Sequence, residues 1–401
     1  MAAEPKDKRE AEASRFTVLL VGNYLPDGQR SMQRFTAMLE SGLHALEQRV
    51  AVFRPPLVFG RLGASGRGFG KWIGYLDKYL LAPFALRARL RKIQGPCVVH
   101  VIDHSNAPYL RWLQDHPHLL TCHDLLAVRS ALGEIEQNRP GFTGRRQQAM
   151  ILRGLKSARC IASVSAATRE DVRRLVGDRP ELLRLVPNAL DPRFSAAAAE
   201  NAPSAPQPAA SARLPDGAAY LLHVGGEKWY KNRAAVLRIF ARIAERQPKL
   251  HLLAVGPDFS AGQLEESGAA ACAERIRCIQ GADDEELLAL YTHARLLLFP
   301  SWQEGFGWPI VEAQACGCPV LTLDRPPMSE LNATPELRCP LSGDWVREAA
   351  DRALPFCALS PEERARLTAG LRESARVFSN EASARAYLDL YRELLEHRPS
   401  P

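Results

Sequence analysis

The segment RLLLFPSWQEGFGWPIVEAQA, residues 295–315, is the stretch that decides the fold. It opens with a short apolar run, RLLLF, which is typical of a buried strand. It closes with PIVEAQA, a helical pattern in which Pro309 suits the first position of a helix. Glycines 305 and 307 mark a turn between the two. The segment therefore predicts a strand, a loop and a helix in succession, which is the repeating unit of a parallel α/β sheet.

Similar apolar runs recur along the chain and alternate with helical patterns. The first series is FTVLLVG (16–22), RVAVFRP (49–55), VVHVID (98–103), LLTCHD (119–124), CIASVS (160–165) and LRLVPN (183–188). The second series is YLLHVGG (220–226), LHLLAVG (250–256), IRCIQGA (276–282), RLLLFPS (295–301) and PVLTLD (319–324). This alternation predicts an α/β protein with two doubly wound parallel sheets in tandem. Helical patterns near 360–374 and 380–396 follow the last strand.

The domain boundaries follow from these two series. An N-terminal domain is expected over 15–194 and a C-terminal domain over 218–378, with an Ala-, Pro- and Ser-rich linker at 195–217. The closing helix, 379–396, is expected to pack back on the N-terminal domain. Because ligands bind beyond the carboxyl ends of the strands in open α/β sheets, both sheets are expected to face a central cleft.

Composition narrows the class of protein. The 401 residues are 46% hydrophobic and 24% charged, which is typical of a globular protein. The first residues, MAAEPKDKREAEAS (1–14), lack the apolar region of a secretory signal, and the nine cysteines lack zinc-ribbon spacing, so a cytoplasmic protein is expected. A net charge of +7 suits a polyanionic partner. No zinc-finger, basic-zipper or RNP-like pattern occurs, which argues against nucleic acid as that partner.

Two carboxylates flank the glycine turn. The start of the helix presents N–H groups and a partial positive charge, so the site favours an anion such as a diphosphate. Glu312 is expected in the first turn of the helix, where its carboxylate can accept two hydrogen bonds from a vicinal diol such as a ribose. The backbone N–H groups of Phe306 and Gly307, next to Trp308, could meet the hydroxyls of a second sugar. The alternative is that Glu312 complements the helix dipole and Glu304 is solvated.

EGFGWPIVE (304–312) resembles the E-x7-E motif of the retaining glycosyltransferases of family 4, which have the GT-B fold of two Rossmann-like domains. The resemblance covers nearly the whole chain. It implies that 15–194 is the acceptor-side domain and that 218–378 binds the nucleotide sugar. In that family the second acid, here Glu312, holds the donor ribose, and the first, here Glu304, contacts the transferred sugar.

HVGGEKWYKNR (223–233) resembles the family segment that grips the donor diphosphate. Lys231 matches the family lysine, and a cation here would stabilise the charge that develops on the departing diphosphate. Gly225 and Gly226 precede this turn and are expected to contact the substrate. Tyr230 stands where the family often has an arginine, so Lys228 or Arg233 would have to replace that arginine, and both stay open. A solvated basic turn is the alternative.

In the N-terminal half, His123 resembles the family residue that touches the transferred sugar near its anomeric carbon, although a structural histidine is the alternative. The loop after the first strand has a turn at Gly28, and Arg30 could meet a phosphate. His104, Ser105 and Asn106 are expected to line the acceptor side or to satisfy local backbone.

KWIGYLDKYLLAPFALRARLRKIQ (71–94) combines aromatic and leucine side chains with basic ones. Such a basic amphipathic stretch can lie on an anionic membrane, as an enzyme acting on a lipid-linked acceptor would need. A helix that covers the first sheet is the alternative.

These features, together with the resemblance, predict a metal-independent, retaining glycosyltransferase without a cofactor, in which His123, Lys231 and Glu304 are the catalytic residues. It would move a hexose, with mannose as the first guess, from a GDP- or UDP-linked donor to a hydroxyl of a glycan or lipid-linked acceptor. Two alternatives stay open: a nucleotide-sugar epimerase of the same architecture, and a non-catalytic sugar-nucleotide-binding protein. A cytoplasmic location is expected, with peripheral contact at the cytoplasmic face of the membrane left open.

Overall fold

The computed structural model describes residues 16–62, 74–179, 181–198, 208, 214 and 218–396. These residues fall into two compact units. Residues 16–189 belong to the first unit together with 380–396, and Leu190–Ser379 form the second. Each unit is built on a six-stranded sheet whose paired strands run parallel. The predicted α/β class with two parallel sheets is therefore confirmed.

The sheet of the first unit has the strand order β2-β1-β3-β4-β5-β6. Its strands are β1 (Thr17–Val21), β2 (Arg49–Phe53), β3 (Cys97–Val101), β4 (His118–Cys122), β5 (Ile161–Ser163) and β6 (Leu183–Leu185). Each of the six predicted runs of the first series overlaps one of these strands, although β3 and β4 begin one residue before their runs. β1, β3 and β4 are buried almost throughout, which is why they read as continuous apolar runs and not as alternating ones.

Helices cover this sheet. They are α1 (Arg30–Ala45), α2 (Ala82–Leu90), α3 (Leu126–Ala131), α4 (Phe142–Lys156) and α5 (Ala166–Val176). A π turn, Asp77–Leu81, leads directly into α2, and shorter 3-10 turns lie at Leu25–Asp27, Phe59–Leu62 and His104–Trp112. Ala82, Leu86 and Leu90 of α2 lie in the hydrophobic core of the unit. The helix within the basic stretch 71–94 therefore does cover the first sheet, while residues 71–73 lie outside the described ranges.

The sheet of the second unit has the order β12-β11-β10-β7-β8-β9. Its strands are β7 (Tyr220–Val224), β8 (His251–Val255), β9 (Ile276–Ile279), β10 (Leu296–Phe299), β11 (Val320–Leu323) and β12 (Arg338–Cys339). Five of them match the second series of predicted runs. The sequence did not predict β12, since two residues are too short to leave a recognisable apolar pattern.

The helices of the second unit are α6 (Pro192–Ala197), α7 (Arg233–Arg246), α8 (Ala261–Glu266), α9 (Asp284–His293), α10 (Trp308–Ala315), α11 (Met328–Leu331), α12 (Trp345–Cys357) and α13 (Pro361–Ala375). Further 3-10 turns lie at Trp229–Lys231, Ala270–Arg275, Pro335–Leu337 and Arg376–Phe378. A capping box between Ser360 and Glu363 begins α13, because each side chain bonds the backbone of the other. Most of the predicted linker, 195–217, lies outside the described residues.

The last helix, α14 (Asn380–Glu396), belongs to the first unit. Its buried hydroxyls join a hydrogen-bond network in that unit. His100 Nδ1 lies 2.7 Å from the hydroxyl of Tyr391, and His100 Nε2 lies 2.8 Å from Thr121 Oγ1. The hydroxyl of Tyr387 lies 2.9 Å from the same Thr121 oxygen. Burial lowers the pKa of His100 to about 3, so this imidazole is neutral and both of its nitrogens are satisfied.

In the described ranges, no helix is both long enough and apolar enough to span a bilayer.

Candidate functional site

The loops that follow β7 and β10 meet at the carboxyl edge of the second sheet, because these two strands are neighbours. The side-chain amide of Asn232 donates a hydrogen bond to the carbonyl of Pro300 at 2.9 Å. The N–H of Trp302 donates to the carbonyl of Tyr230 at 2.7 Å. Asn232 has a φ of 50°, a left-handed conformation that asparagine tolerates better than most residues. This residue therefore ends one loop, starts α7 and joins the second loop.

Between these loops, Lys231 Nζ lies 2.7 Å from Glu304 Oε1. The lysine side chain is 16% exposed and the glutamate side chain 10% exposed, so water screens the pair only in part. The ammonium group also lies 5.0 Å from the ring centroid of Phe299 and 5.6 Å from that of Tyr230. Two of the predicted catalytic residues are thus in direct contact.

Gly225 lies beneath this lysine. A Cβ atom at this position would come within 2.9 Å of His223 Nε2 and within 3.5 Å of Lys231 Cδ. Gly256, which follows β8, has a φ of +150°, and a Cβ there would lie 2.4 Å from the carbonyl oxygen of Gly225. Both glycines are therefore required by close approach. A Cβ at Gly226 would meet open space, so the backbone beside the lysine is accessible to a ligand.

The two candidates for the second cation are placed very differently. Lys228 is exposed. Arg233 begins α7 and is only 8% exposed. Its guanidinium group donates a hydrogen bond to the carbonyl of Pro257 and lies 4.1 Å from the ring centroid of Phe259. Burial lowers the pKa of Arg233. Arg233 therefore ties α7 to the loop after β8, whereas Lys228 is accessible at the surface.

Helix α10 begins at Trp308, with Gly307 as its N-cap in a left-handed conformation (φ 110°). Glu312 is then the fifth residue of the helix, so the prediction that it lies in the first turn is wrong. The difference is one residue: the helix starts at Trp308, so Pro309 occupies the second position and not the first. Glu312 is 2% exposed, and the hydroxyl of Tyr291 donates a hydrogen bond to its Oε2 at 3.1 Å. No local pattern in the sequence singles out Tyr291, which lies in α9.

The aromatic side chains of the turn pack inward. Phe306 is 4% exposed, and its ring centroid lies 6.3 Å from that of Trp308 and 5.8 Å from that of Phe378. The side chain of Phe306 therefore belongs to the core of the unit. Any contact of Phe306 with a ligand has to come from its backbone, which is the contact that the sequence predicts.

His123 directly follows β4 in the first unit. Its Nε2 lies 2.9 Å from the carbonyl oxygen of Ile102, to which it donates, and the ring of Phe35 packs edge-on at 4.7 Å. Burial lowers the pKa of His123, against the attraction of Asp103, so the imidazole is neutral. With the proton on Nε2, Nδ1 carries a lone pair, and His123 can offer a hydrogen-bond acceptor but not an acid.

Asp103 is a buried carboxylate that the sequence did not single out. Its Oδ2 accepts hydrogen bonds from Asn23 Nδ2 at 2.5 Å and from Ser105 Oγ at 2.6 Å. Its Oδ1 accepts from the N–H of Ser105 at 3.1 Å and lies 3.2 Å from His104 Nδ1. Burial alone would raise the pKa of Asp103, but His104, His123 and these donors lower it. Its place at the end of the VVHVID run was the available signal.

The loop after β1 is held by the π turn that precedes α2. The hydroxyl of Tyr24 donates to Asp77 Oδ2 at 2.7 Å, and Lys78 Nζ lies 2.6 Å from Asp27 Oδ2. Gly28 closes the turn with a φ of 64°, a left-handed conformation that favours glycine. Arg30, the first residue of α1, is exposed beside this turn. Lys78 is therefore a buried residue whose ammonium group forms an ion pair within the first unit.

Comparison with known proteins identifies the family. Residues 32–194 match the family model described as Glycosyltransferase Family 4, and residues 207–340 match the one described as Glycosyl transferases group 1. A D-inositol 3-phosphate glycosyltransferase from Saccharomonospora viridis is 29% identical over 300 residues, which cover 70% of this chain and 65% of that protein. A protein of the same name from a Nocardioides species is 33% identical over 212 residues, or 47% of this chain and 45% of that protein. This chain therefore spans less than two thirds of either relative.

Among solved structures, the sucrose-phosphate synthase of Thermosynechococcus elongatus superposes with a TM-score of 0.71 at 22% identity. The match covers 96% of this chain and 100% of that structure. At this identity the likeness establishes the fold, and the fold is GT-B. With both family models matching in chain order, one on each parallel sheet, the chain belongs to glycosyltransferase family 4.

Proposed function

We propose that this protein is a retaining, metal-independent glycosyltransferase that moves a hexose from a nucleotide diphosphate sugar to an acceptor hydroxyl. The observation that carries the proposal is the arrangement at the carboxyl ends of β7 and β10. There a lysine, two glutamates and the start of α10 are held by two loops that bond to each other. This position on a parallel α/β sheet is where ligands of such sheets bind.

The charge of the diphosphate would be met by Lys231 and by the N–H groups at the start of α10. Glu312 would accept hydrogen bonds from the donor ribose, and Glu304 would accept one from the transferred sugar. In this proposal no Mg²⁺ bridges the phosphates, because the protein supplies the positive charge. The departing phosphate would take the acceptor proton on the same face of the sugar, which gives retention.

The proposed role of His123 is limited by its hydrogen bonds. Since Nε2 donates to Ile102 and burial keeps the ring neutral, Nδ1 can accept a hydrogen bond from a sugar hydroxyl. It cannot deliver a proton to the leaving group. We therefore assign His123 to holding the sugar, and we assign stabilisation of the leaving group to Lys231.

The donor is proposed to be a GDP- or UDP-hexose, with mannose as the first sugar to test. For the acceptor, the name of the two curated relatives points to an inositol phosphate. A glycan or lipid-linked hydroxyl is the second acceptor class. A test set should therefore include D-inositol 3-phosphate, sugar phosphates and a polyprenyl-linked sugar.

Thermal-shift measurements against UDP-, GDP-, ADP- and dTDP-sugars test donor binding first, since a ligand present at 100 times its Kd stabilises the native state by about 2.7 kcal/mol. The stabilising donor is then incubated with each acceptor, with and without EDTA, and the released nucleoside diphosphate is measured. Release of nucleoside diphosphate that requires an acceptor and persists in EDTA supports the proposal. Release that EDTA abolishes contradicts metal independence. Conversion of labelled donor alone indicates the epimerase, and binding without release indicates a non-catalytic protein.

We also propose that the first unit contacts an anionic membrane surface through the helix at 74–90. Leu76, Leu80 and Phe84 are spaced four residues apart and are 45%, 52% and 63% exposed, so they form one apolar face opposite the buried face of the helix. Exposed basic residues follow at its end: Arg87, Arg89, Arg91 and Lys92. An exposed apolar row next to cations is what a peripheral helix presents to anionic lipids.

Sedimentation with vesicles tests this contact. Vesicles with anionic lipid should retain the protein, and uncharged vesicles should not. Leu80→Glu with Phe84→Glu should abolish retention, whereas Leu132→Glu, at another exposed leucine of the same unit, should preserve it. Equal retention of all three proteins would contradict the contact and leave the enzymatic proposal intact.

A further inference from the structure

The fold itself gives the cation of the site an anionic partner. Lys231 Nζ and Glu304 Oε1 are 2.7 Å apart, and both side chains are largely shielded from water. The loops that carry them are fastened to each other by Asn232 and by the N–H of Trp302, so the pair is placed by backbone contacts on both sides. The ion pair is therefore a built feature of the site and does not depend on two mobile surface side chains meeting.

A diphosphate bound at the same lysine would meet this carboxylate. Two anions that approach one ammonium group repel each other, and partial burial strengthens that repulsion because little water screens it. The ammonium group of Lys231 also lies 5.0 Å from the ring centroid of Phe299, on the side-chain path that passes Gly225. A diphosphate and Glu304 therefore compete for Lys231 more than they share it.

Resting on the proposed function, we infer that Glu304 is an internal competitor that makes the enzyme prefer the intact donor over the nucleoside diphosphate product. When a donor binds, the diphosphate displaces the carboxylate from Lys231, and the displaced carboxylate accepts a hydrogen bond from a hydroxyl of the sugar. When the product binds, the same displacement occurs but no sugar hydroxyl is present. The product therefore bears the full cost of breaking the ion pair, and this favours its release.

The test compares nucleoside diphosphate and donor affinities by titration calorimetry with UDP, GDP and the matching sugar nucleotides. Glu304→Gln should lower the Kd of the nucleoside diphosphate about tenfold, as expected for removal of a close competing charge, and change the Kd of the donor less than about threefold. Glu304→Asp, which keeps the charge on a shorter side chain, should give an intermediate result. Circular dichroism and the melting temperature establish that each variant is folded.

Two controls isolate the competition. Glu227→Gln removes an exposed carboxylate from the same loop as Lys231 and should leave the nucleoside diphosphate affinity unchanged. In a Lys231→Met background, Glu304→Gln should give no gain, because the group for which Glu304 competes is missing. Suppose that the wild-type protein binds the nucleoside diphosphate and that Glu304→Gln binds it with the same or a weaker affinity. This result overturns the inference and leaves the proposed function intact. A wild-type protein that binds neither the nucleoside diphosphate nor any donor overturns the proposed function as well.

Discussion

The hydroxyl of Tyr291, in α9, donates a hydrogen bond to Oε2 of Glu312, in α10, at 3.1 Å. Both residues are buried, with Tyr291 fully inaccessible and Glu312 2% exposed. Burial and the neighbouring carboxylate raise the pKa of Tyr291, so the phenol keeps its proton and remains a donor. Tyr291 therefore fixes the carboxylate that we propose to hold the donor ribose.

Replacing Tyr291 with Phe should weaken donor binding about tenfold and lower the free energy of unfolding of the second unit by about 1.5–3 kcal/mol, because a charged acceptor loses a buried donor. Tyr220→Phe is the matched control. Its hydroxyl donates to the carbonyl of Leu290 at 2.9 Å, a neutral acceptor, so only about 1 kcal/mol of stability should be lost and affinity should be kept. Titration calorimetry and urea unfolding measure both quantities, and equal affinities in the two variants would argue against this role.

Glu312→Ala and Lys231→Ala should affect the reaction differently. The glutamate is proposed to hold the ribose in the ground state and the transition state alike, so its loss should raise KM for the donor with a smaller effect on kcat. The lysine faces charge that grows as the diphosphate departs, so its loss should lower kcat by about 100-fold or more. Steady-state kinetics with the identified donor measure both, and equal, minor effects would contradict the assignment.

His100 should make the first unit acid-sensitive. Its pKa is about 3 in the folded protein, against about 6.5 in an unfolded chain. Above pH 6.5 neither state binds the proton; as the pH falls from 6.5 toward 3, the unfolded state binds it and the folded state does not. Stability therefore falls with acid by about 1.4 kcal/mol per pH unit from this group. In His100→Gln, the free energy of unfolding measured with urea should fall less steeply between pH 6.5 and pH 4.5. An unchanged slope would exclude His100 as the source of the acid sensitivity.

Two helical glycines should respond oppositely to alanine. In α4, a Cβ at Gly154 would lie 2.4 Å from the carbonyl oxygen of Ala107, so Gly154→Ala should cost about 1–3 kcal/mol through overpacking. In α13, a Cβ at Gly370 would meet nothing within 4 Å, so Gly370→Ala should gain about 1 kcal/mol from helix propensity. Thermal unfolding checks both signs, and a loss in Gly370→Ala would show an unrecognised role for that position.

The sequence predicts the fold well because buried parallel strands leave continuous apolar runs. Only β12 was not predicted, because its two residues are too few to show an apolar pattern. The motif residues of the second unit were also predictable, because they stand next to strand ends and glycine turns in the sequence. Lys231 and Glu304 are 73 positions apart in the chain, yet each followed from its own local pattern.

The partners of these residues were not predictable. Tyr291 contacts Glu312 but lies in a helix whose local sequence does not set it apart. Asp103 stands at a strand end, a position that draws attention to it but does not show which residues it contacts. The start of α10 was misplaced because Pro309 suits either of the first two helical positions, and this shift of one residue places Glu312 fifth in the helix, after the first turn. The contacts of a side chain across the fold do not appear in its local pattern.

The assignment of α14 to the first unit bears on how the molecule can be dissected. A fragment that stops at residue 189 would lack Tyr387 and Tyr391, so His100 Nδ1 and Thr121 Oγ1 would each lose a hydrogen-bond partner that helix α14 supplies. The smallest faithful version of this unit is therefore discontinuous in sequence, and it calls for a short tether to 380–396 or for that helix supplied as a separate peptide. Progressive deletion from the C-terminus would therefore damage the first unit, which is otherwise built from the N-terminal half, before it damages the second.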